Sequence, residues 1–127
     1  LYPKGFYTVV RRFSSKEEKR RIVASVVNPA AFPAAEWLGF ENHLNVFHVQ
    51  KHGLPEDMAY GLAAFLNTRA LDDYFRSFNG HTQVNATDLR QLRYPSNLLL
   101  TRLGKWARRH PLAEPEQIDE KVKAITA

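Results

Sequence analysis

The sequence predicts an α+β fold in which antiparallel strands come first and helices follow. Three features carry this expectation: β-branched and aromatic runs crowd the first fifty residues, apolar spacing becomes helical after Gly53, and 127 residues supply one core. Residues 6–13 and 22–27 read as two strands, and residues 14–18 between them as the turn of a hairpin. Ser15 with Glu18 offers an alternative, a capping box opening a helix through Val27; the β-branched run and Pro29 behind it favour the hairpin. Residues 37–42 and 44–49 read as two further strands, the second setting Leu44, Val46 and His48 against Asn45, Phe47 and Val49.

Pro55 opens the helical half, with Glu56 and Asp57 in the first turn and Met58, Leu62, Phe65 and Leu66 on one face. Leu71, Tyr74, Phe75 and Phe78 keep helical spacing but fall out of phase across Asn67-Thr68, so they belong to a second helix that Asn79-Gly80 ends. A polar segment, 81–87, precedes a short amphipathic piece over 88–94 that Pro95 stops. Helices are expected over 96–109 and 115–125. No repeat, low-complexity tract or linker interrupts the chain, which reads as one domain, 1–127.

Composition narrows the chemistry. Hydrophobic residues make up 44% and charged residues 24%, the balance of a folded globular domain, and there is no cysteine for disulfides, thiolate metal sites or nucleophiles. No apolar stretch is long enough for a membrane span and no leader is visible, so the expected setting is intracellular and cytoplasmic, with no membrane partner. The first residue, Leu1, is not Met, from which the chain is expected to be a piece of something longer.

The net charge of +5 favours a polyanionic partner, and its distribution is uneven. Residues 1–30 hold seven basic and two acidic side chains, and residues 76–110 seven and one, around an acidic middle. Six of the seven in the second basic segment are arginines (Arg76, Arg90, Arg93, Arg102, Arg108, Arg109), suited to bidentate contacts with phosphates and guanine edges. The plainer reading is that these residues solvate exposed faces.

Familiar catalytic patterns are missing. His43, His48 and His52 invite comparison with a histidine nuclease, yet on one strand and its turn they point to different faces. Glu17-Glu18-Lys19 lacks the preceding aspartate of a metal nuclease, and no phosphate loop, nucleophile elbow or Gly-x-Gly-x-x-Gly occurs. No catalytic, cofactor-binding or metal-ligating residue is therefore expected.

Residues 79–90, Asn-Gly-His-Thr-Gln-Val-Asn-Ala-Thr-Asp-Leu-Arg, differ in kind. They gather His81, Thr82, Gln83 and Asn85, which both donate and accept, behind a glycine and beside Arg90 and Arg93. Asn and Gln can pair bidentately with adenine in the major groove, and Arg with guanine. Equally, Asn85 can be the N-cap of a short helix with Asp88 reaching back, and Thr82 can satisfy the turn.

This run, with Phe65-Leu66-Asn67-Thr68, Asp73-Tyr74-Phe75-Arg76 and Leu92-Arg93-Tyr94-Pro95, resembles the C-terminal region of restriction-modification adenine-specific DNA methyltransferases. Residues 10–18, 21–24 and 39–48 agree, so the resemblance spans 5–95 in order and leaves 96–127 as a helical C-terminal extension. In that family a catalytic domain binds S-adenosylmethionine and flips the target adenine, and a target-recognition domain reads the DNA. Neither the Phe-x-Gly-x-Gly cofactor motif nor the Asn-Pro-Pro-aromatic motif is present here; Asn28-Pro29 continues Ala30-Ala31-Phe32.

The resemblance thus implies a target-recognition fragment without methyltransferase activity of its own. Its partners would be double-stranded DNA and a covalently linked catalytic domain carrying the S-adenosylmethionine. On this reading His81, Thr82, Gln83, Asn85, Arg90 and Arg93 meet bases, and Arg11, Arg12, Lys16, Lys19 and Arg20 meet phosphates. The rival expectation is a protein-docking module without DNA specificity, using the aromatic face of Tyr74, Phe75 and Phe78.

Overall fold

A computed structural model describes residues 1–12, 19–79 and 83–126. The chain is an α+β fold with strands β1 (Tyr2–Pro3), β2 (Tyr7–Arg11), β3 (Ala24–Val27), β4 (Trp37–Leu38) and β5 (Leu44–Phe47). Helices follow: α1 (Glu56–Leu66), α2 (Arg69–Phe78), α3 (Ala86–Arg90), α4 (Asn97–Arg109) and α5 (Pro115–Thr126). One 3-10 turn, Pro29–Ala31, is capped by the Asn28 side chain.

The central sheet runs β3-β2-β5, antiparallel throughout, with Tyr7 opposite Val27 and Thr8 opposite both Val26 and Phe47. The expected pairing of 6–13 with 22–27 is therefore present, and a helix through Val27 is excluded; the turn at 14–18 lies outside the described residues. The strand expected at 37–42 shrinks to Trp37–Leu38 and leaves the main sheet to pair with Tyr2–Pro3, a strand too short to recognise by alternation. Past Leu38 the chain turns instead, Leu44 N–H closing on Glu41 O at 3.1 Å.

The expected strand over 22–27 begins only at Ala24, because Arg21 and Ile22 are held otherwise. Both amides donate to one carboxylate oxygen of Asp72 at 2.8 Å, so side-chain bonding replaces the ladder there.

Helix α1 lies on the face of the sheet that carries Thr8 and Val10, with Thr8 Oγ1 donating to Ala59 O at 2.8 Å inside the core. On the opposite face, Tyr7 meets Tyr2 and Phe40 edge-on at centroid separations of 5.5 Å, under the small β1-β4 sheet. Helix α4 packs against α1 at glycine contact. A Cβ on Gly104 would overlap the Asp57 carbonyl and stand 2.9 Å from Gly61 N, and one on Gly61 would stand 2.7 Å from the Leu100 carbonyl carbon. Leu100 and Leu103 of α4 join Val10, Ile22, Leu66 and Phe75 in one cluster of buried side chains, each worth roughly 1.5–3 kcal/mol of transfer free energy. Residues 96–109 thus share the core of 5–95.

Helix α5 closes over α2. Its Asp119 carboxylate accepts the first amides of that helix, from Arg69 at 2.8 Å and Ala70 at 3.0 Å, where orphan donors and the helix dipole favour an anion. Thr68 caps the same helix, which begins at Arg69, directly after the phase break at Asn67-Thr68.

Candidate nucleic-acid interface

The polar segment is stitched onto the open ends of two strands. Arg12, just past β2, donates its amide to His43 O at 2.7 Å and accepts from Val84 N–H at 2.6 Å. Asn45 of β5 donates its side-chain amide to Val84 O at 2.7 Å. With both backbone groups bonded and its side chain fully buried, Val84 pins the segment to the sheet, and half-buried Gln83 and Asn85 flank it.

Helix α3 starts at Ala86 rather than 88, because Asn85 and Asp88 form a capping box: the Asp88 carboxylate accepts Asn85 N–H at 3.1 Å. Leu89 and Leu92 anchor the helix inward, and Arg90 stands exposed in its last turn. Between α3 and the edge of β5 lies a hollow of about 310 Å³ lined by Asn45, Phe47, His48, Ala86, Arg90 and Tyr94 among others. Its wall is fixed by Tyr94, whose hydroxyl donates to Leu89 O at 2.7 Å and whose ring packs on Phe47 and Phe65. Burial pushes the Tyr94 hydroxyl up to about 12, so it remains a neutral donor through neutral pH.

Beneath the segment lies a polar network that sequence reasoning missed. Arg21, fully buried, donates from its two terminal nitrogens to Asn79 O and Asn79 Oδ1 at 3.3 Å, with its guanidinium 5.3 Å from the centroid of the Phe75 ring. Asn79 in turn donates to Gln83 O at 3.3 Å and to the Asp88 carboxylate at 3.0 Å. Asp72, which holds the amides of 21 and 22, also receives Arg76 Nε at 3.0 Å. Arg21 and Asn79 therefore tie the end of α2 to the start of α3 across residues 80–82. Nothing local in the sequence separates Arg21 from Lys19 and Arg20, because its partner Asn79 lies 58 residues away.

The expected contact residues separate into groups. Gln83 and Asn85 sit beside Arg12 at the end of the sheet where Arg11 closes β2, and Arg90 borders the hollow along β5. Arg93 is elsewhere, in a hollow between α2 and α5 with Tyr74, Asp119 and Lys123. Lys19 and Arg20 border a third hollow with Arg69, Arg76, Asp73 and Glu116, and Arg20 gives its guanidinium to Asn67 O and Oδ1 at 3.0 and 2.9 Å. His81, Thr82 and Lys16 lie outside the described residues.

One other expectation changes. Phe75 is fully buried and leaves the aromatic docking face, which keeps half-exposed Tyr74 and Phe78 at a centroid separation of 5.4 Å. The histidines are dispersed: His48 Nδ1 accepts from Lys51 N–H at 2.8 Å with its ring tilted against Tyr2, while His52 pairs its backbone with Val49. Among the described residues no cluster of three or more histidines or carboxylates could hold a metal ion, and no helix is long and apolar enough to cross a membrane.

No family model and no solved structure matches the chain. It is 59% identical over 106 residues to the Type II methyltransferase M.BsuBI of Bacillus subtilis, a match covering 84% of this chain and 21% of that protein. It is 51% identical over 96 residues to the Type II methyltransferase M.PstI of Providencia stuartii, covering 76% of this chain and 19% of that one. The homologues of this chain are thus Type II methyltransferases, of whose length it spans about one fifth.

Proposed function

We propose that the chain is the target-recognition part of an adenine-specific restriction-modification DNA methyltransferase, binding double-stranded DNA sequence-specifically while a covalently linked domain supplies S-adenosylmethionine and catalysis. One observation carries this reading. The chain is 59% identical to about a fifth of a Type II methyltransferase, yet it has neither the cofactor motif nor the adenine-holding motif that such an enzyme needs.

The division of labour follows from side-chain chemistry. Gln83, Asn85, His81 and Thr82 present donors and acceptors to base edges, and Arg90 beside them reaches a guanine edge or a phosphate. Arg11 and Arg12 at the same end of the sheet neutralise the backbone and make binding salt-dependent. Lys19, Arg20 and Lys16 extend the phosphate contacts, and Arg93 takes part where DNA reaches the α2-α5 side. Because Asn85 also caps α3, Gln83 is the cleaner probe of base reading.

The test is selection from a randomised duplex pool at low and moderate salt, with sequencing of the retained DNA. The chain enriches one motif, and Gln83→Ala loses about 1–3 kcal/mol of discrimination at a single base pair while affinity for unrelated sequence stays the same. Uniform, salt-sensitive retention without enrichment removes sequence recognition from this chain. A second reading, docking to a protein subunit, draws on Tyr74 and Phe78 beside the largely apolar α2-α5 hollow; it requires salt-insensitive partner binding and no DNA preference.

A further inference from the structure

Beyond β5 the chain reverses in two residues. Val49 and His52 exchange backbone hydrogen bonds, N–H to O at 2.9 and 2.8 Å, and between them Gln50 and Lys51 have φ of 48° and 65°. Left-handed backbone at both central positions is the type I′ hairpin turn, which Asn-Gly fills at least cost; Gln and Lys are strained there because their Cβ crowds the backbone.

The surroundings enforce the conformation. Lys51 N–H is held by His48 Nδ1 at 2.8 Å. At the root, Leu54 N–H pairs with Phe6 O at 2.8 Å, and Gly53 approaches so closely that a Cβ there would stand 3.1 Å from Phe6 N. The tip is solvent-exposed from 48 to 52, and His48 also lines the hollow that Arg90 borders. A turn needed only to reverse the chain gains nothing from these two side chains, whereas a rigid tip presenting an amide and an ammonium side by side beside an arginine-edged hollow has the chemistry to meet a base edge and its neighbouring phosphate.

We propose that the Gln50-Lys51 turn is a second duplex-DNA contact, Lys51 meeting a phosphate and Gln50 a groove edge, on the flank of the β5-α3 hollow away from Arg12. It rests on the DNA-recognition reading and adds a contact to it.

The discriminating variant is Q50N/K51G, which keeps the turn and relieves its strain. Its melting temperature rises, while its affinity for the duplex enriched by the wild-type chain falls about tenfold or more and its salt slope drops by about one charge. Lys51→Gln, which leaves the charge out and the turn residue long, loses the same slope, and Lys51→Arg keeps it. Equal affinity, base preference and salt slope in wild type and Q50N/K51G, with the wild type still selecting a motif, overturn the turn contact alone. A wild-type chain that retains no duplex overturns the recognition reading and the turn contact with it.

Discussion

Replacing Arg21 by Met tests whether the buried network organises the recognition segment. Methionine keeps the unbranched stem in the core but removes the guanidinium. Two charge-assisted bonds to Asn79 disappear; at 3.3 Å they are long, so each is worth about 1–1.5 kcal/mol. Contact with the Phe75 ring at 5.3 Å adds about 1–2 kcal/mol in this desolvated setting. The expected loss is about 3–5 kcal/mol, a large share of the roughly 5–15 kcal/mol typical of a domain. Urea unfolding should show a lower midpoint at unchanged slope, since the surface exposed on unfolding hardly alters. In the duplex selection the folded fraction should also bind with a blurred motif, because Asn79 holds Gln83 O and Asp88 on either side of the reading residues. A loss below about 1 kcal/mol with an unblurred motif would refute the argument: the guanidinium would then be replaceable by any stem of its length.

Two other perturbations probe the scaffold. Gly61→Ala gains about 1 kcal/mol of intrinsic helix preference, but its methyl group meets the Leu100 carbonyl of α4, and backbone cannot swing aside. A net loss of about 1–3 kcal/mol in thermal unfolding is expected, and a variant as stable as wild type would contradict the close α1-α4 crossing. Tyr94 carries a pH dependence. Its folded hydroxyl titrates at about 12 against an ordinary 10, so between those values the folded state keeps a proton that the unfolded state has lost, and stability falls as pH rises through the window. Below pH 10 the contribution is constant. Burial also raises Tyr7, so difference tyrosinate titration should show late ionisation from both residues and lose the Tyr94 part in Tyr94→Phe; ionisation of Tyr94 near 10 would mean the ring is solvated.

Helix periodicity was legible because the helical apolar residues turn toward the core, fully in α4 at Leu100 and Leu103 and partly in α5 at Ile118 and Val122: α1, α4 and α5 begin and end within a residue or two of their expected limits. The β2-β3 and β5 strands were legible from β-branched runs, whereas β1, two residues long, carries no alternation to read, and β4 keeps only two of the six residues that read as strand. Interruptions by side-chain bonding were invisible. Asp72 captures two amides from fifty residues away, and Asn67 pairs with both backbone groups of Ala24 at 2.9 Å, so neither strand limit could follow from local preference. Of the candidate interface, composition pointed to residues 79–90, but not to the separation of Arg93 from Arg90, which depends on how α5 closes over α2.

That separation bears on how such a chain would read DNA. Gln83 and Asn85 flank a valine fully buried in the core, on backbone bonded to β2 and β5, so their positions are set by the sheet rather than by loop entropy. A reader held this way loses little freedom on binding, and its side chains can change without touching the apolar core. Arg93, by contrast, lines a different hollow, together with the Asp119 carboxylate that caps α2. The end of the sheet that carries Arg11, Arg12, Gln83 and Asn85 is thus where rigidity and positive charge coincide, and a duplex running from it past Arg90 along the β5-α3 hollow would meet the Gln50-Lys51 tip on the far side.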